Sequence, residues 1–205
     1  MEKKIALLLA ALLLVTGTAF AAGSFQNRLK YGPLQTYDNM VFDYSIGVYS
    51  GFYMLSDEYT AEMMAGYGEG EDADEIYDLR VWISSDYAYQ LEVQVKEKTY
   101  ASFEEEIARA PEYYDIIKDG YAEENQLKQL HEGIVRDLPT GRMLEMATSY
   151  VLDGASIISV YYDYYADDCE YIVALLAVNK SYEEAQALLD EVAQTMIISH
   201  GEQYV

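Results

Sequence analysis

Cysteine and histidine are scarce in this chain of 205 residues, and each scarcity excludes a class of site. Cys169 is the only cysteine, so no intramolecular disulfide can form and stability has to come from the core. We expect this lone thiol to be buried. The two histidines, His131 and His200, stand at unrelated positions, and HEGIV at 131–135 lacks the second histidine of H-E-x-x-H. The sequence therefore predicts no transition-metal centre.

Catalytic and cofactor motifs are missing too. Gly154-Ala155-Ser156 stops short of a G-x-S-x-G nucleophile elbow. The glycine-rich segment 66–70 lacks the lysine of a phosphate-binding loop, and the acidic residues around it would repel phosphate. With 36 acidic residues some carboxylate pair is inevitable, so a pair by itself is no sign of glycoside hydrolysis. We predict no cofactor other than calcium, which is considered below.

Basic residues are few beside the acidic ones: 13 against 36, for a net charge of −23. Such a balance repels phosphate backbones and anionic membrane surfaces, so we expect no nucleic acid partner. Cationic proteins, divalent cations and neutral glycans are compatible with it. The alternative is that the charge only keeps the protein soluble.

The first 21 residues have the three parts of a cleavable secretory signal peptide. Residues 2–4 carry a net positive charge, residues 5–15 are an apolar run, and Ala19-Phe20-Ala21 is a small-x-small cleavage site. The apolar run is too short to span a bilayer, which takes about 20 residues. We expect a secreted or extracytoplasmic protein with no stable membrane anchor after cleavage.

Cleavage would leave 184 residues with a net charge of −24, which is enough for one domain. The segment 22–39 is polar and contains Gly32-Pro33, so we predict a flexible lead-in there. The single domain is expected over residues 40–205. Within it, residues 57–67 are compatible with either a short helix or a strand.

Alternating apolar and polar residues predict several strands. From Val81 to Val95 most odd positions are apolar or aromatic and most even ones polar, with a hairpin expected at 84–86. Residues 157–165 alternate again. The strand after them, 171–178 (YIVALLAV), is apolar on both faces, so it belongs near the middle of a sheet that is covered on both sides.

Two capping-box patterns predict the helices. Ser102 precedes Glu105, and Ser181 precedes Glu184, at the spacing that opens a helix. The second helix carries one apolar stripe, formed by Ala185, Leu188, Leu189, Val192 and Met196. The order of these elements predicts an α+β fold, a mainly antiparallel sheet with helices on both faces.

The second half of the chain resembles the PsbP-like sandwich. The matching features are YQLEVQVKE (89–97) followed by SFEEEIA (102–108), the hairpin ISVYYDYYADDCEYIVALLAV (158–178) and the closing helix SYEEAQALLDEVAQTMI (181–197). Together they cover about residues 80–198. The PsbP subunit of the photosynthetic oxygen-evolving complex, the Ran-binding Mog protein and several exported bacterial proteins share this fold. The resemblance implies a non-catalytic binding protein and transfers no functional residue.

The 22 tyrosines supply the candidate binding residues. In the strand at 157–165, Tyr161 and Tyr165 share one face with Ser159 and Asp163. Exposed aromatic rings stack on sugars or anchor protein interfaces, so we predict Tyr161 and Tyr165 as the binding residues. The alternative is that these rings belong to a half-buried sheet.

The acidic segment 66–75 and the aspartate at position 78 supply the only candidate metal ligands. Asp72, Asp74 and Asp78 offer carboxylates at short spacing, which is compatible with calcium. The spacing departs from an EF-hand, and a solvated acidic loop is the alternative.

Three functions are compatible with the sequence. The first is an exported non-catalytic binding protein whose partner is a protein or a glycan. The second is an exported hydrolase using acidic residues, and the third is a structural component of the cell envelope. A concave pocket that gathers two or three buried carboxylates would favour the hydrolase, whereas a filled, smooth surface would favour binding.

Overall fold

The computed structural model describes residues 25–67, 76–118, 126–139, 141–166 and 168–199. The predicted signal peptide and most of the acidic segment 66–75 lie outside the described residues. Within the described ranges no helix is long and apolar enough to cross a membrane.

The described chain contains four helices and ten strands. The helices are α1 (residues 25–31), α2 (Asp57–Tyr67), α3 (Phe103–Lys118) and α4 (Tyr182–Ala193). The strands are β1 (Leu34–Asn39), β2 (Tyr44–Tyr49), β3 (Phe52–Met54), β4 (Ile76–Ser84), β5 (Tyr89–Lys96), β6 (Lys128–Leu138), β7 (Gly141–Leu152), β8 (Ala155–Tyr165), β9 (Glu170–Val178) and β10 (Ile197–Ile198).

These strands form two antiparallel sheets. The small sheet has the order β1-β2-β10, and the large sheet has the order β3-β4-β5-β9-β8-β7-β6. The large sheet has β9 in its centre, hydrogen-bonded to β5 on one side and β8 on the other. The predicted fold class, an antiparallel α+β sandwich, is confirmed.

The main core lies on the face of the large sheet that α4 and the small sheet cover. We call it the α4 face. Its buried sheet residues include Leu91, Val93, Val160, Tyr162, Val173 and Leu175. The four residues of the predicted stripe that lie on α4 are fully buried against them, and Met196, three residues beyond the end of the helix, is buried in the same core. Cys169 is buried in the same core, as predicted.

Helix α4 begins with the predicted capping box. The Glu184 backbone N–H donates to the Ser181 hydroxyl at 3.2 Å, and the Ser181 backbone N–H donates to the Glu184 carboxylate at 3.0 Å. Both donors would otherwise be unpaired at the start of the helix. The capping box therefore sets the first residue of the helix that closes the core.

The opposite face of the large sheet, which we call the α3 face, has a smaller core. Ala110, Leu144 and Met146 are buried there, with Ile107 and Tyr113 packed against them. Helix α3 continues through Pro111. Proline removes one helical hydrogen bond, and this packing against the sheet offsets the loss.

The structure differs from the expectation of a flexible lead-in at 22–39. Residues 25–31 are helical, and β1 pairs along its whole length with β2. The Tyr31 ring is buried and contacts the Phe52 and Tyr89 rings edge to face, at centroid distances of 5.3 and 5.9 Å. Burial of this ring against β3 and β5 orders a segment whose local sequence is polar.

Replacing Leu188 by Ala should lower the free energy of unfolding by about 2–5 kcal/mol, because this side chain of α4 is fully buried in the main core. The matched control is Leu152→Ala, since Leu152 is 51% exposed and should change stability by less than about 0.5 kcal/mol. Urea unfolding followed by circular dichroism measures both. Equal losses in the two variants would contradict the described core.

Candidate functional site

An open cleft lies on the α3 face of the large sheet. Helix α2 contacts β4 and helix α3 contacts β6, so the two helices pack near opposite ends of the sheet. Beside α3 lies a cavity of about 430 Å³ over β5, β9 and β8. Its lining consists of Gln90, Glu92, Gln94, Lys96, Tyr113, Ile117, Tyr150, Ser159, Tyr161, Asp163, Ile172, Ala174 and Leu176. A volume of this size is typical of small-ligand sites.

The floor of the cleft is the second apolar face of β9. Ile172, Ala174 and Leu176 line the cavity, while Val173 and Leu175 between them point into the main core. Ile172 and Leu176 keep part of their surface exposed. The sequence predicted that both faces of this strand would be covered. The α4 face is covered, whereas on the α3 face the apolar residues line an open cleft.

One side of the floor is a row of polar residues on β5. Gln90 and Gln94 lie on either side of Glu92, and the three alternate with buried Leu91 and Val93. The Gln90 amide donates to one Glu92 carboxylate oxygen at 2.5 Å, and the Gln94 amide donates to the other at 3.2 Å. Burial raises the pKa of Glu92, and the two amide hydrogen bonds oppose that rise. The carboxylate thus holds both amides in place.

The other side of the cleft is aromatic. Tyr161 on β8 lies across β9 from Glu92, since Ala174 pairs with both residues. Tyr113 and Ile117 of α3 form the wall above it, and Tyr150 of β7 completes the lining. The Tyr161 hydroxyl lies 3.4 Å from the Met146 sulfur, and the side chain is half-buried. Tyr161 shares its face with Ser159 and Asp163, as the alternation predicted.

The end of the cleft near the start of α3 contains buried acidic groups. The Lys96 ammonium lies 3.2 Å from the Glu170 carboxylate and donates to the Thr99 hydroxyl at 2.7 Å. Burial and the charges of Glu170 and Glu106 raise the pKa of Asp163 well above its usual value. Burial and the charge of Glu170 raise the pKa of Glu106 to about 7, against a hydrogen bond from Tyr165. We call Glu106, Asp163, Glu170 and Lys96 the buried carboxyl cluster.

Tyr165 lies apart from the cleft. Its hydroxyl donates to Glu106 at 3.1 Å and accepts from the Tyr100 backbone N–H at 3.2 Å. Its ring packs 6.0 Å from that of Phe103, at the first turn of α3. The two tyrosines predicted as one binding pair thus occupy different places. Tyr161 lines the cleft, and Tyr165 joins α3 to the sheet.

The predicted calcium ligands divide between described and undescribed residues. Asp72 and Asp74 lie outside the described residues. Asp78 is buried on β4, where one oxygen contacts Arg80 at 2.9 Å and the other accepts from Asn39 at 2.7 Å. Among the described residues no group of three or more histidine, cysteine, aspartate or glutamate side chains is arranged to hold a metal ion. Calcium binding stays a prediction from the sequence.

No local sequence pattern singles out the residues of the β5 row or the buried carboxyl cluster. The alternation of polar with apolar residues at Gln90, Glu92 and Gln94 is typical of a solvent-exposed sheet face. The apolar character of β9 was the available signal. A neighbour of a strand that is apolar on both faces lies inside the sheet, so its polar face has to meet either a helix or a cleft.

Comparisons with known proteins show the fold. No protein-family model matches the sequence, and no curated protein matches it. Among solved structures it is similar to CyanoP, the cyanobacterial PsbP of Synechocystis sp. PCC 6803, with a TM-score of 0.53 and 11% identity over 82% of this chain and 93% of that one. It is also similar to the Ran-binding protein Mog1p of Saccharomyces cerevisiae, with a TM-score of 0.50 and 10% identity over 80% and 95%. The predicted resemblance to the PsbP-like sandwich is confirmed.

Glu106→Gln should stabilise the protein more at pH 8 than at pH 5. The pKa of Glu106 is raised from 4.5 to about 7, so ionisation of this buried group removes stability as the pH rises between those values. The amide carries no charge, and we expect a gain of about 1–3 kcal/mol at pH 8 and little at pH 5.

The matched control for this prediction is Glu105→Gln. Glu105 is exposed one position earlier in the same helix, and its replacement removes the same formal charge. Urea unfolding at the two pH values measures all three proteins. A gain from Glu106→Gln that is the same at both pH values, or that Glu105→Gln equals, would contradict the described burial.

Proposed function

We propose that this chain is an exported, non-catalytic binding protein and that the cleft on the α3 face holds its ligand. The main support for this proposal is the apolar floor of that cleft. Three apolar side chains of the central strand line an open cavity of about 430 Å³ between a polar row and an aromatic wall. An apolar surface with a few converging polar groups is the usual composition of a ligand site.

Two further observations support the proposal. The arrangement at residues 1–21 is that of a secretory signal peptide, which supports a place of action outside the cytosol. The Ran-binding protein Mog1p, a protein of the same fold, is described by its capacity to bind another protein. A shared fold does not transfer a partner, so we leave the partner as a protein or a glycan that reaches the cleft.

Hydrolysis is the second candidate function, because the cleft is a concave pocket that contains two buried carboxyl groups, Glu92 and Asp163, which is the feature expected of a hydrolase. Their arrangement is unsuited to it. Both oxygens of Glu92 accept from glutamine amides, and Asp163 is only 1% exposed. Glycoside hydrolysis needs two carboxyl groups that reach opposite sides of one bond. Binding therefore explains the geometry better than catalysis.

Ala174→Phe should abolish ligand capture without unfolding the protein. Ala174 lies in the middle of the floor, and a phenyl group there would fill the cleft rather than the core. The immobilised wild type and variant are incubated with native culture medium, and bound material is identified by mass spectrometry and by sugar analysis. We expect at least about a tenfold lower yield of the captured species from the variant.

The matched control is Ala108→Phe, which adds the same side chain at an exposed position of α3. Circular dichroism establishes that both variants are folded. A species captured equally by all three proteins would place the binding surface elsewhere. If the wild type hydrolyses nitrophenyl glycosides, and Glu92→Gln and Asp163→Asn each abolish that activity, the protein is a hydrolase and the proposed function is wrong.

A further inference from the structure

The charged groups in the lining of the cleft are all buried. Glu92, Lys96 and Asp163 are 3%, 8% and 1% exposed. Glu92 accepts from two amides, and Lys96 contacts Glu170 and Thr99. A charged ligand would therefore give up its hydration without direct access to an opposite charge, which is costly. An anionic ligand would in addition approach the buried carboxyl cluster.

The groups that a ligand can touch are uncharged. A carboxylate only accepts hydrogen bonds, so the Gln90 and Gln94 amides turn their N–H groups toward Glu92. Each amide keeps its carbonyl oxygen and its second N–H for a ligand. Ser159 and Tyr161, both half-buried, add hydroxyl groups across the floor. The cleft thus offers amide acceptors and donors on β5 and hydroxyl groups on β8.

The register of the sheet sets these polar groups on either side of an apolar strip. Gln90 pairs with Leu176, and Leu176 pairs with Ser159; in the same way Glu92 is joined through Ala174 to Tyr161. Two strand spacings of about 4.8 Å separate the amide row from the hydroxyl row. A ligand that bridges them needs polar groups along its rim and an apolar face for the floor and the aromatic wall.

We propose that the cleft binds a neutral carbohydrate chain, an inference that rests on the proposed function of the cleft as a ligand site. A pyranose ring has hydroxyl groups around its rim, each able to donate to an amide carbonyl and accept from a hydroxyl. Its C–H face packs on apolar side chains and aromatic rings. An uncharged peptide backbone has one donor and one acceptor per residue, so it would pair with fewer of the polar groups that converge here.

Isothermal titration calorimetry of the full protein tests this proposal with defined probes. The panel contains neutral oligosaccharides of four to six units built from glucose, mannose, xylose, galactose or N-acetylglucosamine. It also contains a polygalacturonate oligomer as the anion and spermidine as the cation. We expect at least one neutral oligosaccharide to bind and the two charged probes not to bind.

The variant Gln90→Ala/Gln94→Ala should weaken the binding of that oligosaccharide about tenfold or more, because two hydrogen bonds are lost. Both side chains are only partly buried, but their loss leaves the Glu92 carboxylate without its amide partners, so circular dichroism must first establish that the variant is folded. The matched control is Gln35→Ala/Gln194→Ala, which removes two exposed glutamine side chains outside the cleft. Its affinity should equal that of the wild type.

Three results would overturn the carbohydrate proposal. They are sugar binding that the cleft variant leaves unchanged, preferential binding of spermidine or polygalacturonate, and a panel in which nothing binds. The proposed function is judged separately by Ala174→Phe. If no sugar binds but a protein is captured in a manner that Ala174→Phe abolishes, the carbohydrate proposal fails while the cleft remains the binding site.

Discussion

The central strand β9 sets the constraint on which the rest of the structure depends. It is hydrogen-bonded on both sides, to β5 and β8, and its side chains are apolar on both faces of the sheet. Each face must therefore be removed from water or matched by a ligand. Helix α4 and the small sheet cover one face completely. On the other face α3 packs toward the β6 end of the sheet, and the middle of β9 is left as the floor of the cleft.

The polar groups around that floor are arranged as buried charges require. A carboxylate taken from water needs hydrogen bonds or an opposite charge. Glu92 has two amides, and Glu170 has Lys96. Glu106 and Asp163 have no second cation in the described cluster, and their pKa values rise. Ionisation of these groups therefore lowers the stability of the fold. Departures from ordinary core composition of this kind concentrate where a protein binds or reacts.

The fold by itself says little about the ligand. CyanoP and Mog1p share the architecture with this chain at identities of only 11% and 10%, and one layer arrangement can present many different surfaces. The features that define the cleft here belong to this sequence: the alternating amides on β5 and the aromatic residues of α3, β7 and β8. Function has to be argued from those side chains.

The sequence by itself determined the class of fold and most of its elements. Period-two alternation predicted β4, β5 and β8, and two capping boxes predicted the starts of α3 and α4, because these signals depend on neighbouring residues alone. It also placed Tyr161 and Asp163 on one face. What lies opposite that face was decided only by tertiary structure. The ordering of residues 25–39 depends on burial of the Tyr31 ring against Phe52 of β3 and Tyr89 of β5. The position of α3 decides where the cleft lies and why Tyr161 and Tyr165 have different surroundings. No local pattern specifies the position of one helix over a sheet.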